Sequence, residues 1–171
     1  MAPLECPSPS QVFLADLSHA KTTAGTPGTW TAPSQIQTLT ESDLECTSGV
    51  AIAQGTHIGL VSSEFGGNSL TAIALPKSVN GTPAISDWMT CGVGGTFESG
   101  FDPHTVTAYQ SPNGGHAIAL LSNSDASQVA VVDLTMMLDK ATVPRTSGSG
   151  LGHACSAGTL PASVVSFITV P

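Results

Sequence analysis

Ser127 to Leu134 reads SQVAVVDL, and two other stretches copy it: Ser10 to Leu17 (SQVFLADL) and Asn68 to Leu75 (NSLTAIAL). Their closing leucines stand at 17, 75 and 134, steps of 58 and 59 residues. Self-similarity at such a fixed step marks an architecture built from one supersecondary unit per copy. The stretch itself alternates as a strand does. Val129, Val131 and Asp133 point one way while Ala130, Val132 and Leu134 point the other, and a strand that is apolar on both sides is covered on both sides.

Working upstream, two further segments match: His57 to Ser63 (HIGLVSS) and His116 to Asn123 (HAIALLSN), each histidine 18 residues before its closing leucine. Ahead of them come a first strand and a turn, GVAIA (49–53) then QGT in one copy, TVTAY (105–109) then QSPNGG in the other. Asn113-Gly114 is a strong hairpin signal. A fourth strand is expected at Gln35 to Leu39, Ala84 to Met89 and Lys140 to Val143. Four antiparallel strands per unit describe a propeller blade. A β-sandwich also has short strands with frequent turns, but it does not require the long-period repeat.

The unit from Pro103 to Leu134, PHTVTAYQSPNGGHAIALLSNSDASQVAVVDL, resembles the YVTN-type repeats of lactonase-like and related β-propellers. In those repeats a first strand, a Pro-Asn-Gly or Pro-Asp-Gly turn and a valine-rich closing strand ending in Asp recur. Over Ser48 to Leu75 the turn shortens to Gln54-Gly55-Thr56 and Ala74 stands where the Asp would be. The EFGGN (64–68) and DPHT (102–105) segments are similar to those of uncharacterised bacterial exported propeller proteins. The resemblance implies an all-β fold, a partial β-propeller of four-stranded antiparallel blades. It also implies an alternative activity, a lactonase-like hydrolase using carboxylates and histidines at the channel mouth with a divalent metal.

The length sets the number of blades. The 171 residues make a single domain, 1–171, of about three blades that does not close on its own, since propellers have roughly four to eight. Units are expected at about 1–45 (incomplete), 46–101, 102–146 and 147–171 (incomplete). Ser163 to Pro171 (SVVSFITVP) aligns with the third strand that starts at Ser69. Both ends would then supply the same third strand, so they cannot latch one blade shut. Open strand edges and flat apolar faces need a cover: missing blades of a longer chain, a partner protein, or a homo-oligomer.

Composition agrees with many short strands: 40% of residues are apolar, only 9% are charged, and there are 18 Gly and 12 Pro. Twelve acids against four Lys and Arg give a net charge of −8, which excludes a nucleic-acid partner for want of cations to neutralise phosphates. No apolar run is long enough for a membrane span. MAPLECPSPS lacks the features of a signal peptide, yet low charge and four cysteines suit an extracytoplasmic protein, a conflict that a truncated N-terminus resolves. Cys6, Cys46, Cys91 and Cys155 contain no CxxC pair. They leave three disulfide connectivities, or four buried thiols, equally open.

Candidate chemistry gathers at strand openings. Asp102-Pro103-His104-Thr105 leads into a first strand, where propeller loops line the channel mouth. His104, oriented by Asp102, is the leading acid/base or metal-ligand candidate; Asp and Pro also suit a capped strand start. His153, in Gly152-His153-Ala154-Cys155, is a second channel candidate. Glu64, beside the flexible Gly66-Gly67 turn, is a candidate cation ligand. Metal candidates are thus Glu64, His104 and His153. His57 and His116, at equivalent places, read as histidines satisfying turn carbonyls. Glu41, Asp43 and Glu45 lack calcium-loop spacing and read as a solvated linker. Asn80-Gly81-Thr82 reads as a turn. Neither a GxSxG elbow nor a phosphate loop occurs, and Gly148 to Gly152 opens no helix. These readings favour a non-enzymatic binding or scaffold module that meets a protein or small-molecule ligand at its rim, with no cofactor required.

Overall fold

The computed structural model describes residues 10–15, 36–40, 44, 46–53, 56, 58–64, 68–75, 87–94, 103–110, 117–123, 127–137 and 153–171. Among them the protein is all-β, apart from one helical turn at 135–137. Its strands are β1 (Gln11–Ala15), β2 (Ile36–Thr40), β3 (Thr47–Ala53), β4 (Ile58–Ser63), β5 (Ser69–Ala74), β6 (Trp88–Gly92), β7 (Pro103–Gln110), β8 (Ala117–Asn123), β9 (Gln128–Asp133), β10 (His153–Thr159) and β11 (Val165–Thr169). They form three sheets, none of them closed: β1-β2 at the N-terminal end, β10-β6-β5-β4-β3 in the centre, and β11-β9-β8-β7 at the C-terminal end. No helix among the described residues is long and apolar enough to cross a membrane.

The expected meander is present in both larger sheets. β3, β4, β5 and β6 pair antiparallel in succession, as do β7, β8 and β9. Period-2 alternation decides which face each residue takes. On one side of the central sheet, Leu60, Leu70, Ala72, Met89 and Cys91 meet Val106, Ala119, Leu121, Ala130 and Val132 of the C-terminal sheet in the main core. On the other side, Val61, Ile73 and Trp88 meet Leu39 and Leu44, with Val12 and Leu14 of β1 against them. Thr71 and Thr90, cross-strand neighbours on that second face, share a 2.9 Å hydroxyl hydrogen bond.

Three expectations are corrected. The C-terminal stretch is not an incomplete fourth unit. β10 joins the central sheet, parallel to β6, and β11 joins the C-terminal sheet, antiparallel to β9. Val165–Thr169 is therefore a fourth strand, not the equivalent of the third strand at Ser69. Its alternation suits either place; the free N–H and C=O groups along the outer edge of β9 decide between them. Second, the fourth strand of the central sheet begins at Trp88 rather than Ala84; that proposed at Lys140–Val143 lies outside the described residues. Third, β4 and β8 do not pair with the following strand in the same register; His57 and His116, which precede them, lie outside the described residues. Ile58 pairs with Ala74 but Ile118 pairs with Asp133. Five residues, 64 to 68, separate β4 from β5, and four, 124 to 127, separate β8 from β9. That extra residue slips the register, and a one-residue slip turns every side chain to the opposite face.

β3 and β7, the first strands of their sheets, run side by side. Gly49 makes this approach possible: a Cβ there would stand 2.7 Å from Ser62 Oγ, 2.9 Å from Val106 N and 3.0 Å from Thr105 Cα. Two of these neighbours are backbone atoms of β7 and cannot swing aside. Gly49→Ala is therefore expected to lower unfolding stability by about 1–3 kcal/mol, as overpacking does, measured as a lower urea midpoint at unchanged m-value.

One disulfide is assigned by the fold. Cys91 of β6 and Cys155 of β10 are joined across the parallel pair, with Cα atoms 4.9 Å apart, one step beyond the Ala154–Thr90 register pair. Cys46 is also disulfide-bonded.

Candidate functional site

The first strand of each larger sheet has an irregularity at its start. The β3–β4 register shifts between Thr47 and Gly49, and the β7–β8 register shifts between Pro103 and Val106. Bulges re-aim side chains and concentrate next to sites. Ser48 lies in the first irregular stretch, His104 and Thr105 in the second, and the two stretches are brought together because β3 and β7 are neighbours.

Hydroxyls knit this junction. Ser48 Oγ donates to the Pro103 carbonyl at 3.1 Å and lies 3.2 Å from Ser62 Oγ, which in turn reaches the His104 carbonyl at 3.5 Å. The C-terminal sheet repeats the hydroxyl pair: Thr105 Oγ1 and Ser122 Oγ are 2.8 Å apart, and Thr105 N–H donates to Ser122 Oγ at 3.2 Å. The Glu64 N–H donates to the carbonyl of Cys46, a non-glycine residue at φ 46°. A left-handed backbone at such a residue is uncommon, and here it turns the chain into β3 just where the end of β4 is tied down.

At the heart of this junction is a pair that unites two separate candidates. Glu64 Oε1, at the end of β4, accepts a hydrogen bond from His104 Nδ1, at the start of β7. The Glu64 side chain is 10% exposed and the imidazole 58%, so a nearly buried carboxylate lies under a largely solvent-facing ring. An ionised carboxylate can only accept. In a neutral imidazole the pairing therefore places the proton on Nδ1 and leaves Nε2 with its lone pair. Such a nitrogen can accept a proton, take a hydrogen bond from a ligand, or coordinate a metal whose ligand histidine is oriented by the carboxylate behind it.

The remaining candidates are placed as follows. Asp102, expected to orient His104, lies outside the described residues, and it is Glu64 that fills that role. His153 sits on β10, at the edge of the central sheet opposite β3, so the fold does not bring it to His104. Glu41, Asp43, Glu45 and Asn80-Gly81-Thr82 lie outside the described residues. Among the described residues, no three His, Cys, Asp or Glu gather as a metal site. The serines at 48 and 62 carry no motif, and nothing in the sequence singles them out. The Glu64–His104 pairing does leave a trace: Glu64 follows the second strand of the central sheet and His104 lies at the start of the first strand of the C-terminal sheet.

Comparison of the chain with protein-family models, with curated proteins and with solved structures finds no match.

Proposed function

We propose that the protein is a β-propeller repeat module of the YVTN-like kind, non-enzymatic, which binds a protein or small-molecule ligand at the rim where β3 and β7 begin. The three sheets are its blades. The observation that carries this reading is the Glu64–His104 pair. A surface-facing imidazole held by a nearly buried carboxylate at the bulged start of an inner strand is an ordered recognition group, and a solvated side chain needs no such support. The Cys91–Cys155 disulfide supports an extracytoplasmic location, since such bonds persist in oxidising compartments.

The reading is tested by titrating a library of small polar fragments while following the ring resonances of His104. A binder is expected to shift the His104 and Ser48 signals together. His104→Ala should weaken it about tenfold, near the upper range for one lost hydrogen bond. The same variant takes the imidazole from the nearly buried Glu64 carboxylate and should lower unfolding stability by about 1–3 kcal/mol. Fragments that bind equally well to His104→Ala would remove His104 from the rim site.

The same pair favours a second reading, a lactonase-like hydrolase in which His104 Nε2 acts as general base or metal ligand and Glu64 positions it. Hydrolysis of simple lactones with added divalent metal, abolished in His104→Ala and reduced in Glu64→Gln, would select this reading. Equal turnover by wild type and His104→Ala would dismiss it.

A further inference from the structure

Hydrogen-bond donors and acceptors are unequal in number at the β3–β7 junction, and the surplus is of acceptors. An ionised carboxylate offers about four acceptor sites. Among the described residues the Glu64 side chain meets one donor, His104 Nδ1, at Oε1, so Oε2 has none although the side chain is only 10% exposed. Buried polar groups are ordinarily hydrogen-bonded, and a charge that is not is costly. Two neighbouring groups are short of donors in the same way. With the imidazole neutral and its proton on Nδ1, Nε2 of the solvent-facing ring can only accept. Ser48 is exposed, and its one hydroxyl proton goes to the Pro103 carbonyl at 3.1 Å. Ser62 Oγ, 3.2 Å away, donates to Ser48 or to the His104 carbonyl, and Ser48 Oγ keeps accepting capacity toward solvent. Among the described residues no lysine or arginine supplies positive charge, since Lys21, Lys77, Lys140 and Arg145 all lie outside them. The whole chain carries a net charge of −8, and the potential around such a chain draws cations toward it.

From this we infer that the rim site takes a positively charged nitrogen donor, an ammonium or guanidinium group, which donates to Glu64 Oε2 and His104 Nε2 with Ser48 Oγ as a third acceptor. Ammonium and guanidinium groups carry several N–H donors and no acceptor, the complement of what the site offers. An anion or a carbonyl oxygen would set lone pairs against lone pairs. Hydrogen bonds to an ionised partner are roughly twice as strong as those between neutral groups, so the Glu64 carboxylate selects the cation over a neutral amide or alcohol. The pairing with His104 fixes which carboxylate oxygen is left over, and the hydroxyls of Ser48 and Ser62 hold the backbone carbonyls of Pro103 and His104, which keeps the ring in place as a ligand arrives.

The inference rests on reading the start of β3 and β7 as a binding rim, and its test is separable from that reading. The probes are n-butylammonium and n-butylguanidinium chloride, with butyramide as the uncharged counterpart and sodium butyrate as the anionic one. Each is titrated into the intact chain at low salt while the His104 ring nitrogens and the Ser48 amide are followed by NMR. Both cations are expected to move the Nε2 and Ser48 signals and to bind about tenfold or more tightly than butyramide, with an affinity that falls as sodium chloride is added. Glu64→Gln replaces the carboxylate by an amide of the same shape and should bring the cations to within about twofold of butyramide. Should that variant not fold, the salt dependence and the butyrate comparison on the unaltered chain decide the matter. Butyramide or butyrate binding at His104 as tightly as the cations would overturn the inference and leave the rim reading standing. A His104 ring that neither cation moves, while other polar fragments do, would overturn it in the same way. A ring that no fragment of any charge moves would remove the rim reading with it.

Discussion

Replacing Cys91 and Cys155 together by alanine is expected to cost about 2–5 kcal/mol of unfolding stability, the usual range for loss of a native disulfide in a small domain. The bond spans 64 residues of sequence, and the chain-entropy relation gives about 4 kcal/mol for a loop of that size. The loss should have a location as well as a size. β10 is held to β6 by a parallel ladder interrupted between Ala154 and Thr159, on the edge of the central sheet. Without the covalent tie its amides should exchange at nearly unprotected rates, while those of β4 and β5, which are paired on both sides, keep most of their protection. Urea denaturation and amide exchange of the double variant, with the Cys46 disulfide left intact, measure both quantities. A loss below about 1 kcal/mol with β10 still protected would contradict the assignment of this bond as the tie that holds the C-terminal segment.

Leu60→Ala should be nearly as damaging, at about 2–5 kcal/mol, because Leu60 is fully buried between two stacked sheets and its removal leaves a cavity that flat sheets close poorly. The matched control is Val50→Ala, on the neighbouring strand. Val50 is exposed in the chain by itself, so its truncation should stay within about 0.5 kcal/mol. The two variants test the direction of the sheets as well as their packing. If Val50→Ala proved costly and Leu60→Ala did not, β3 and β4 would have to present their opposite faces to the C-terminal sheet. Both are read as urea midpoints with the m-value held constant.

Much of this architecture is legible in the amino-acid sequence, and the reasons are local. β8 and β9 follow from HAIALLSN and SQVAVVDL, where apolar residues fill both alternating sets, and Asn113-Gly114 is the sequence signal for a break between β7 and β8. β4 and β5 follow in the same way. The candidate site is legible only in halves. Glu64 stands out beside a glycine turn and His104 at the opening of a strand, but nearness in sequence points to Asp102 as the partner of His104. Among the described residues the partner of His104 is 40 residues away, and sequence proximity gives no sign of which side chains meet across two sheets.

β10 and β11 mark where local reading runs out. HACSAGT, the sequence of β10, is poor in the branched and aromatic residues that favour strands. It is a strand because β6 offers an edge and Cys91 offers a bond. β11 does alternate, and by alternation alone it matches β5; the unpaired edge of β9 makes it an outer fourth strand instead. The one-residue difference between the β4–β5 and β8–β9 connections is likewise visible in the sequence, but its consequence appears only as a pairing register.

The amino-acid sequence by itself therefore determined the central strands of the two larger sheets and their alternating faces, because both follow from a period of two and from turn residues that act within a few positions. Tertiary structure alone decided which edge each terminal strand completes, which cysteines join, and which carboxylate supports His104. These depend on backbone groups and side chains that meet only after the sheets have stacked, when the free energy of pairing an open edge outweighs any local preference.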